Sequence, residues 1–350
     1  MRPSAREAWL AAADMVGNPS SVHSAGRRAR AIVEDARESV AANLGAHPTE
    51  VVFTSGATEA NNLALASAHG LVVTTTGEHH SVLDPAKELG AVFVGVDRDG
   101  AVDIALLTLE APRAALISVQ WVNNETGTIQ PVGDVVALAA DAGVAVHSDA
   151  VQAVGHLPID FAASGLALMS VSAHKIGGPV GVGALLARRD VTLQPLARGG
   201  GQQRGRSGTL DAAGAASFAA ALAEATSTRE AEAARLGELR ARLVDGVGQI
   251  DGALVTGGAT SSHIFNAVFP GTKAESTLFG LDRAGIEVSS GSACTAGVVD
   301  ASHVLMAMGY DASEASAALR VSLGWTTTVA DIDALLSALP AVVAAARAVG

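Results

Sequence analysis

Short apolar runs alternate with longer helical stretches between Val51 and Ala187. The runs are rich in β-branched residues and several are almost continuously apolar, which is typical of strands covered on both faces. They begin at Val51, Leu71, Ala91, Ala115, Val144, Leu166 and Val182. Because helical stretches of about 10–15 residues separate them, the pattern predicts βαβ units on a mainly parallel seven-stranded sheet, with helices on both faces.

The pattern changes after a long predicted helix that covers about residues 215–247. A strand-like run, H-I-F-N-A-V-F, follows this helix, and further helical stretches lie at Ala274–Ala284, His303–Met308 and Ile332–Val349. We therefore predict a large domain at 18–240 and a smaller α+β C-terminal domain at 241–350, to which residues 1–17 are also assigned.

Composition and charge indicate a soluble globular protein and argue against several functions. The 350 residues carry a net charge of −12, which disfavours direct binding of nucleic acid. The single cysteine cannot form an internal disulfide, so a reducing compartment is the simpler assumption. The apolar tail at 334–350 is broken by Pro340 and Arg347 and is too short for a membrane span. We expect a cytoplasmic protein with no signal sequence and no membrane association.

Polar residues follow several of the predicted strands, at the rim where open α/β sheets bind ligands. Lys175, one of three lysines, lies in S-A-H-K-I-G-G-P between an apolar strand and a glycine-rich turn. An apolar setting favours the neutral amine that Schiff-base chemistry with an aldehyde cofactor needs. A surface lysine in a loop is the alternative, and Ser172 and His174 count against it because they could hold a phosphate.

Two more segments at predicted strand ends suit such a cofactor. In H-S-D-A-V-Q, Asp149 could pair with a protonated pyridine nitrogen and Gln152 could donate to a phenolic oxygen, although a helix N-cap is the alternative for the aspartate. In S-G-A-T-E, Ala57 and Thr58 begin a helix whose N–H groups could bind phosphate, although an ordinary cap would look the same.

The remaining candidates are weaker when each is taken alone. His79 could stack on a cofactor ring and move protons, or face solvent beside His80. Asn124 in N-N-E-T-G could bind cofactor or substrate or make a turn, and Arg320 could clamp a carboxylate or form a structural ion pair. Cys294 lies in S-S-G-S-A-C-T-A-G, a small and polar stretch that suits a mobile reactive thiol better than a buried filler. No spacing suggests a metal site.

Together these segments resemble the cysteine desulfurases of the NifS/IscS type, a branch of the class-V aminotransferase family that uses pyridoxal 5'-phosphate (PLP). The resemblance runs from Gly17 to Thr327 and rests on motifs in the family's order: S-G-A-T-E-A-N-N, E-H-x-S-V, N-N-E-T-G, H-x-D-A-x-Q, S-A-H-K-x-x-G-P-x-G-x-G, R-S-G-T and S-S-G-S-A-C. It implies the type I fold of PLP-dependent transferases. It also implies removal of sulfur from L-cysteine, which gives L-alanine and a persulfide on Cys294.

The resemblance implies a role for each candidate. Lys175 would hold PLP and move the Cα proton, His79 would stack on the ring and transfer protons, and Cys294 would attack the substrate sulfur. The other cofactor contacts would come from Ala57, Thr58, Asn124, Asp149, Gln152, Ser172, His174 and Thr209, the last reaching the phosphate from a partner subunit. Asn124 and Arg320 would hold the substrate carboxylate. Implied partners are a second copy of the chain and a sulfur-acceptor protein, which could be an iron–sulfur scaffold, a tRNA-thiolation relay or a cofactor-synthesis carrier.

Three departures from the family pattern keep other functions open. The usual opening Y-L-D-x-A-A-T-T-P is absent, so either the start of the sequence is misassigned or truncated, or one wall of the substrate pocket is missing. The segment Gly199–Thr209 is one residue shorter than usual, and Trp325 stands where arginine is common. The alternatives are a selenocysteine lyase, another class-V PLP enzyme such as an aminotransferase, and a catalytically impaired sulfur-transfer scaffold.

Overall fold

The fold is that of a computed structural model. It describes residues 1–291, 294–295 and 298–349, and at residues 294, 295, 298 and 299 the description is limited to the backbone.

A seven-stranded sheet forms the centre of the larger part of the chain. Its strands in chain order are β1 Val51–Thr54, β2 Val72–Thr75, β3 Val92–Val94, β4 Leu116–Ser118, β5 Ala145–Asp149, β6 Leu168–Ser172 and β7 Gly183–Ala187. Their order across the sheet is β1-β7-β6-β5-β4-β2-β3, and only β7 pairs antiparallel with its neighbours. The predicted mainly parallel sheet is therefore confirmed.

The helices connect the strands and extend beyond them at both ends of the chain. They are α1 Pro3–Ala13, α2 Ser24–Leu44, α3 Ala57–Ala66, α4 His80–Glu88, α5 Ile104–Glu110, α6 Val132–Ala142, α7 Phe161–Ser164, α8 Ala212–Val247, α9 Ala274–Arg283, α10 His303–Ala307, α11 Ala312–Ala315 and α12 Val329–Val349. Short 3-10 helices lie at Pro48–Glu50, Ala111–Arg113 and Ala173–Ile176. Local capping sets several starts: the side chains of Asp103 and Asp211 accept backbone N–H groups of α5 and α8.

Apolar side chains cover both faces of the large sheet, which is why its strands are continuously apolar. Val51 and Phe53 of β1 join one buried cluster, while Val52 between them joins a second cluster on the opposite face. Helices pack against each face, so parallel strands of this kind are shielded from water.

A second core surrounds a smaller antiparallel sheet near the C-terminus. Its strands are β8 Leu254–Val255, β9 Ile264–Val268 and β12 Ala318–Ser322, in the order β12-β9-β8, and a separate pair is formed by β10 Cys294–Thr295 and β11 Val298–Val299. Helix α8 contributes its first half to the large core and residues from Leu236 onward to this second core. The domain boundary at 240 falls inside α8 and stays a prediction, as does the assignment of 1–17, whose Ala5 packs in the large core.

Helix α12 is longer than the apolar tail considered from the sequence. By length and composition alone the helix could cross a membrane, so the expectation that this segment is too short for a membrane span was wrong. Its residues Ile332, Leu335, Leu339 and Val343 pack in the second core, however. These four residues form the apolar face that the helix buries against the second core.

Candidate active site

A cavity of about 530 Å³ lies at the carboxyl ends of the large sheet's parallel strands. Predicted residues from six separate segments of the chain line it together: Ala57, Thr58, His79, Asn124, Asp149, Gln152, His174, Lys175 and Arg320. The sequence-based expectation of a binding rim beyond the strand ends is therefore met by the geometry.

Three predicted residues stand apart from this lining. Ser172 does not line the cavity but its hydroxyl lies 2.8 Å from Nδ1 of His174, which does. Thr209 lines a separate cavity of about 80 Å³ that shares Ser55 and Gly181 with the main one. The side chain of Cys294 lies outside the described residues.

Lys175 lies in the short helix Ala173–Ile176, which directly continues β6 and ends at Gly177 with φ +84°. The side chain is accessible from the cavity, yet the surrounding protein removes enough water to lower the pKa of its amine. The charge of Arg320 lowers that pKa further, whereas Asp149 opposes the shift. Lys175 is thus a solvent-accessible lysine of the cavity lining whose pKa the surrounding protein lowers.

Asp149 is the last residue of β5 and is buried beneath the cavity. One carboxylate oxygen accepts from Nδ2 of Asn61 at 2.7 Å, and the other accepts from the backbone N–H of Val151 at 3.0 Å. Burial raises the pKa of Asp149, while these hydrogen bonds and the nearby His79 and Lys175 pull it down. The site therefore holds a buried carboxylate that gains from a cationic partner in the cavity.

Asn61 and Ser81 also fix the ring of His79. Nδ2 of Asn61 donates to Oγ of Ser81 at 2.8 Å, and that hydroxyl lies 2.8 Å from Nδ1 of His79. The backbone N–H of Ser81 also donates to Nδ1, at 3.1 Å. Since Nδ1 accepts, the neutral ring carries its proton on Nε2. Burial lowers the pKa of His79, which keeps the ring neutral.

The N-terminus of α3 lines the same cavity as Lys175. Gly56 precedes the helix with φ +150°, a conformation that glycine adopts without strain. A Cβ at Gly56 would lie 3.9 Å from Oγ of Ser172, so that hydroxyl stands close to the helix N-terminus. The free N–H groups of the first helical turn and the hydroxyls of Thr58 and Ser172 are donors suited to a phosphate.

Arg320 enters the cavity from β12 of the smaller sheet. Nη1 donates to the backbone carbonyl of Asn124 at 3.0 Å, and Nε is buried without a hydrogen-bond partner among the described residues. Burial lowers the pKa of Arg320, and the nearby Glu125 opposes the shift. A guanidinium with a buried donor still unpaired can take an added carboxylate.

The sequence reasoning missed Glu125, Gly291 and His303, which also line the cavity. Glu125 is buried and accepts a hydrogen bond from Oγ of Ser302, while Nδ1 of His303 lies 3.9 Å from its carboxylate. A Cβ on Gly291 would lie 3.0 Å from Oε2 of Glu125. Burial raises the pKa of Glu125. Gly291 and Ser302 flank the segment that carries Cys294, so Glu125 is hydrogen-bonded to the residue on one side of this segment and lies near the residue on the other.

Asn61 was missed as well, although its position gives a signal. It lies on the buried face of α3 beside Ala60 and Ala64, where an apolar residue would be ordinary. A polar residue on an apolar helix face must find a hydrogen-bond partner, and here the partners are Asp149 and Ser81.

Comparison with known proteins places this site in a family. The aminotransferase class-V family matches residues 10–335. The IscS-like cysteine desulfurase of Mycobacterium tuberculosis is 48% identical, over 99% of this chain and 94% of that protein. The cysteine desulfurase NifS of Azotobacter vinelandii is 38% identical, over 95% of this chain and 87% of that protein. A NifS-like protein from Rickettsia africae superimposes with a TM-score of 0.91 at 30% identity, covering 98% of this chain and 96% of that one.

This chain therefore belongs to the aminotransferase class-V family, whose enzymes depend on PLP. Within the family, the resemblance to the NifS- and IscS-type cysteine desulfurases that the motifs indicate is confirmed.

Proposed function

We propose that this protein is a cysteine desulfurase, which takes sulfur from L-cysteine with PLP as cofactor and releases L-alanine. The observation that carries the proposal is the convergence of Lys175, Asp149 and Arg320 on one cavity, beside the N-terminus of α3. A reactive amine, a buried carboxylate and an incompletely paired guanidinium are the groups that PLP and an amino-acid substrate require.

The residues of the cavity fit PLP at each of its functional groups. Lys175 would join the aldehyde, Asp149 would pair with the pyridine nitrogen and Gln152 would donate to the phenolic oxygen. Ala57, Thr58, Ser172 and His174 would hold the phosphate. When bound, PLP supplies an electron sink that stabilises negative charge at the substrate Cα.

Substrate binding and proton transfer fall to three side chains. The unpaired donor of Arg320 would hold the substrate carboxylate, with Asn124 beside it, and this sets the orientation of Cα. The amine of Lys175 would move the Cα proton, and the partial loss of water around it lowers its pKa from the ordinary lysine value, which favours that role. His79 would present its Nε2–H to the cavity, because Ser81 occupies Nδ1.

Sulfur transfer is proposed for Cys294. Its thiolate would attack the substrate sulfur, so that an S–S bond forms while the Cβ–S bond breaks and leaves its electron pair on the carbon skeleton. A proton then completes L-alanine, and the sulfur remains on Cys294 as a persulfide. The contacts of Glu125 at Gly291 and Ser302 would hold the two ends of this segment against the cavity wall.

Assembly and partners follow from the same proposal. Thr209 lines a smaller cavity and not the main cavity of its own chain, as a residue that reaches the phosphate of a second subunit in a homodimer would. The sulfur acceptor would be another protein in the cytoplasm. The net charge of −12 favours a basic acceptor and disfavours direct contact with nucleic acid.

The test is to supply L-cysteine and a reductant to the purified, PLP-loaded protein. We expect equal amounts of L-alanine and sulfide, and Cys294→Ser should keep the absorption of bound PLP while losing sulfide release. Absence of L-alanine from the loaded wild-type protein would reject the proposal in favour of a scaffold. A much faster reaction with selenocysteine would favour the lyase instead.

A further inference from the structure

Gln152 stands between the main cavity and a smaller one of about 160 Å³. The same four side chains line both spaces: Gln152, His174, Lys175 and Arg320. On the side of the smaller cavity, Oε1 of Gln152 lies 3.3 Å from Nε2 of His263, a residue 111 positions away in the sequence. Neither the motifs nor the proposed function gives His263 a role.

His263 is held in place by a second histidine. Its ring stacks on that of His156, with centroids 3.6 Å apart and an interplanar angle of 7°. Gly155 makes the tight turn that brings His156 into this position: it has φ +80°, and a Cβ there would lie 2.9 Å from Cγ2 of Ile176. The stack therefore leaves the ring of His263 little freedom to rotate.

Both rings of the stack are neutral at physiological pH. Burial lowers the pKa of His156 to about 4, with Arg2 adding to the shift and Glu232 opposing it. Burial also lowers the pKa of His263, and both His156 and Lys175 add to that shift. A neutral imidazole has one N–H, so His263 either donates or accepts at Nε2, but not both.

The surroundings decide between the two tautomers. His263 is 4% exposed, and its Nδ1 has no hydrogen-bond partner among the described residues. A proton on Nδ1 would therefore be a buried donor without an acceptor, the costly and rarely observed case. With the proton on Nε2, His263 donates to Oε1 of Gln152, and this fixes which end of the amide faces each cavity.

We infer that His263, held by its stack on His156, is a positioning residue that keeps the NH₂ group of Gln152 turned toward the main cavity. This inference rests on the proposed function, in which that NH₂ group donates to the phenolic oxygen of PLP. Without the histidine, the amide is free to turn its oxygen toward another oxygen, which is repulsive. His263 thus favours the ionised form of the cofactor without touching it.

The test compares the pH at which the visible absorption of bound PLP changes. We expect His263→Leu to raise this midpoint by about one unit, because a hydrogen bond to a charged oxygen is weakened. Gln152→Leu should raise it by at least as much, and the double variant should match Gln152→Leu alone, since the two residues act through one contact. His263→Gln, which retains a side-chain N–H, should restore part of the shift. The exposed His69→Leu is the matched control and should leave the midpoint unchanged.

Two outcomes would overturn the inference while the proposed function stands: an unchanged midpoint in His263→Leu, or shifts that add in the double variant. Wild-type protein that binds no PLP would instead reject the proposed function. Should His263→Leu fail to fold, ¹⁵N chemical shifts of histidine-labelled wild-type holoenzyme decide the matter. A proton on Nε2 of His263 is expected, and a proton on Nδ1 would contradict the inference.

Discussion

Nδ2 of Asn61 donates a 2.7 Å hydrogen bond to Oδ2 of Asp149, a residue 88 positions further along the chain. The same nitrogen donates to Ser81, which holds Nδ1 of His79. One buried amide thereby ties the carboxylate expected beneath the cofactor to the histidine expected above it. These hydrogen bonds orient both side chains, which is what a preorganised site requires.

Replacing Asn61 should weaken PLP binding. Asn61→Leu removes a hydrogen bond from a buried carboxylate, so we expect the Kd for PLP to rise at least tenfold. Absorbance titration of the apoprotein with PLP measures the change. Asn62→Leu is the matched control, because within the described part of the chain the side chain of Asn62 donates to the backbone carbonyls of Thr58 and Ser81 and not to Asp149. Equal affinities in Asn61→Leu and wild type would show that Asp149 needs no support from Asn61.

Lys175 should be required for the reaction, whereas Lys87 on α4 should not be. Lys175→Ala removes the amine that would hold the cofactor and move the proton, so desulfurase activity should fall at least about a thousandfold. The visible absorption of the loaded protein should shift at the same time. Lys87 lies on α4 with 61% of its side chain exposed, and Lys87→Ala should retain the wild-type rate. Substantial activity in Lys175→Ala would contradict the proposed role.

His147 should make the native state sensitive to acid. Its ring is fully buried between the hydroxyls of Ser118 and Ser170, and burial lowers its pKa to about 3 from the usual 6.5. Below about pH 6.5 the unfolded chain binds a proton that the native chain does not. The contribution of His147 to the free energy of unfolding is therefore fully present above pH 6.5. It falls by about 1.4 kcal/mol for each pH unit as the pH decreases from 6.5 toward 3.

Comparison with a variant isolates this contribution. Burial raises the pKa of Glu78 to about 8, and its ionisation costs stability as the pH rises from 4.5 to 8, with the opposite sign. Urea unfolding of wild type and His147→Gln at several pH values between 4.5 and 6.5 gives the free energy of unfolding as a function of pH. The slopes of the two curves should differ by the equivalent of about one proton bound on unfolding. His69→Gln, an exposed position, should show the wild-type slope. Identical slopes for wild type and His147→Gln would mean that the buried ring protonates normally.

Arg2 should stabilise the segment that carries Lys175. It is 4% exposed and lies 2.9 Å from both Glu224 and Glu232, while Nε donates to the carbonyl of Ile176 at 3.0 Å. Arg2→Met removes the cation between the two carboxylates, which then keep only the hydroxyls of Ser4 and Thr228 as hydrogen-bond donors among the described residues. The free energy of unfolding should therefore fall by about 3 kcal/mol. Urea denaturation measures the loss, with the exposed Arg6→Met as control. A loss below about 1 kcal/mol would contradict the prediction, because it would show that these ion pairs contribute no more than exposed surface ion pairs do.

Much of the fold could be predicted from local patterns. The runs at Val51, Leu71 and Leu166 are strands in the structure, with ends shifted by no more than two residues. Such runs are apolar because both faces of the sheet are covered, so each strand can be recognised from its own sequence without knowing which strands lie beside it. Strand β12 is not predicted, because L-R-V-S-L-G mixes polar and apolar residues and its partner β9 is distant in sequence. The length of α12 was also underestimated, since Pro340 lies inside the helix.

The sequence by itself determined which residue types bring chemistry to the site, because parallel strands end at a common edge and carry their following residues to it. Lys175 and Asp149 could be named in this way, whereas Arg320 was assigned to the site only through the family resemblance. Only the tertiary structure decided how these groups are held and protonated. Asn61 beneath Asp149, Glu125 beside Ser302 and His263 beside Gln152 are contacts between distant segments. The burial and the hydrogen-bond partners of a polar side chain determine its pKa, its tautomer and its orientation. Both depend on segments that are distant in the sequence, so local sequence does not specify them.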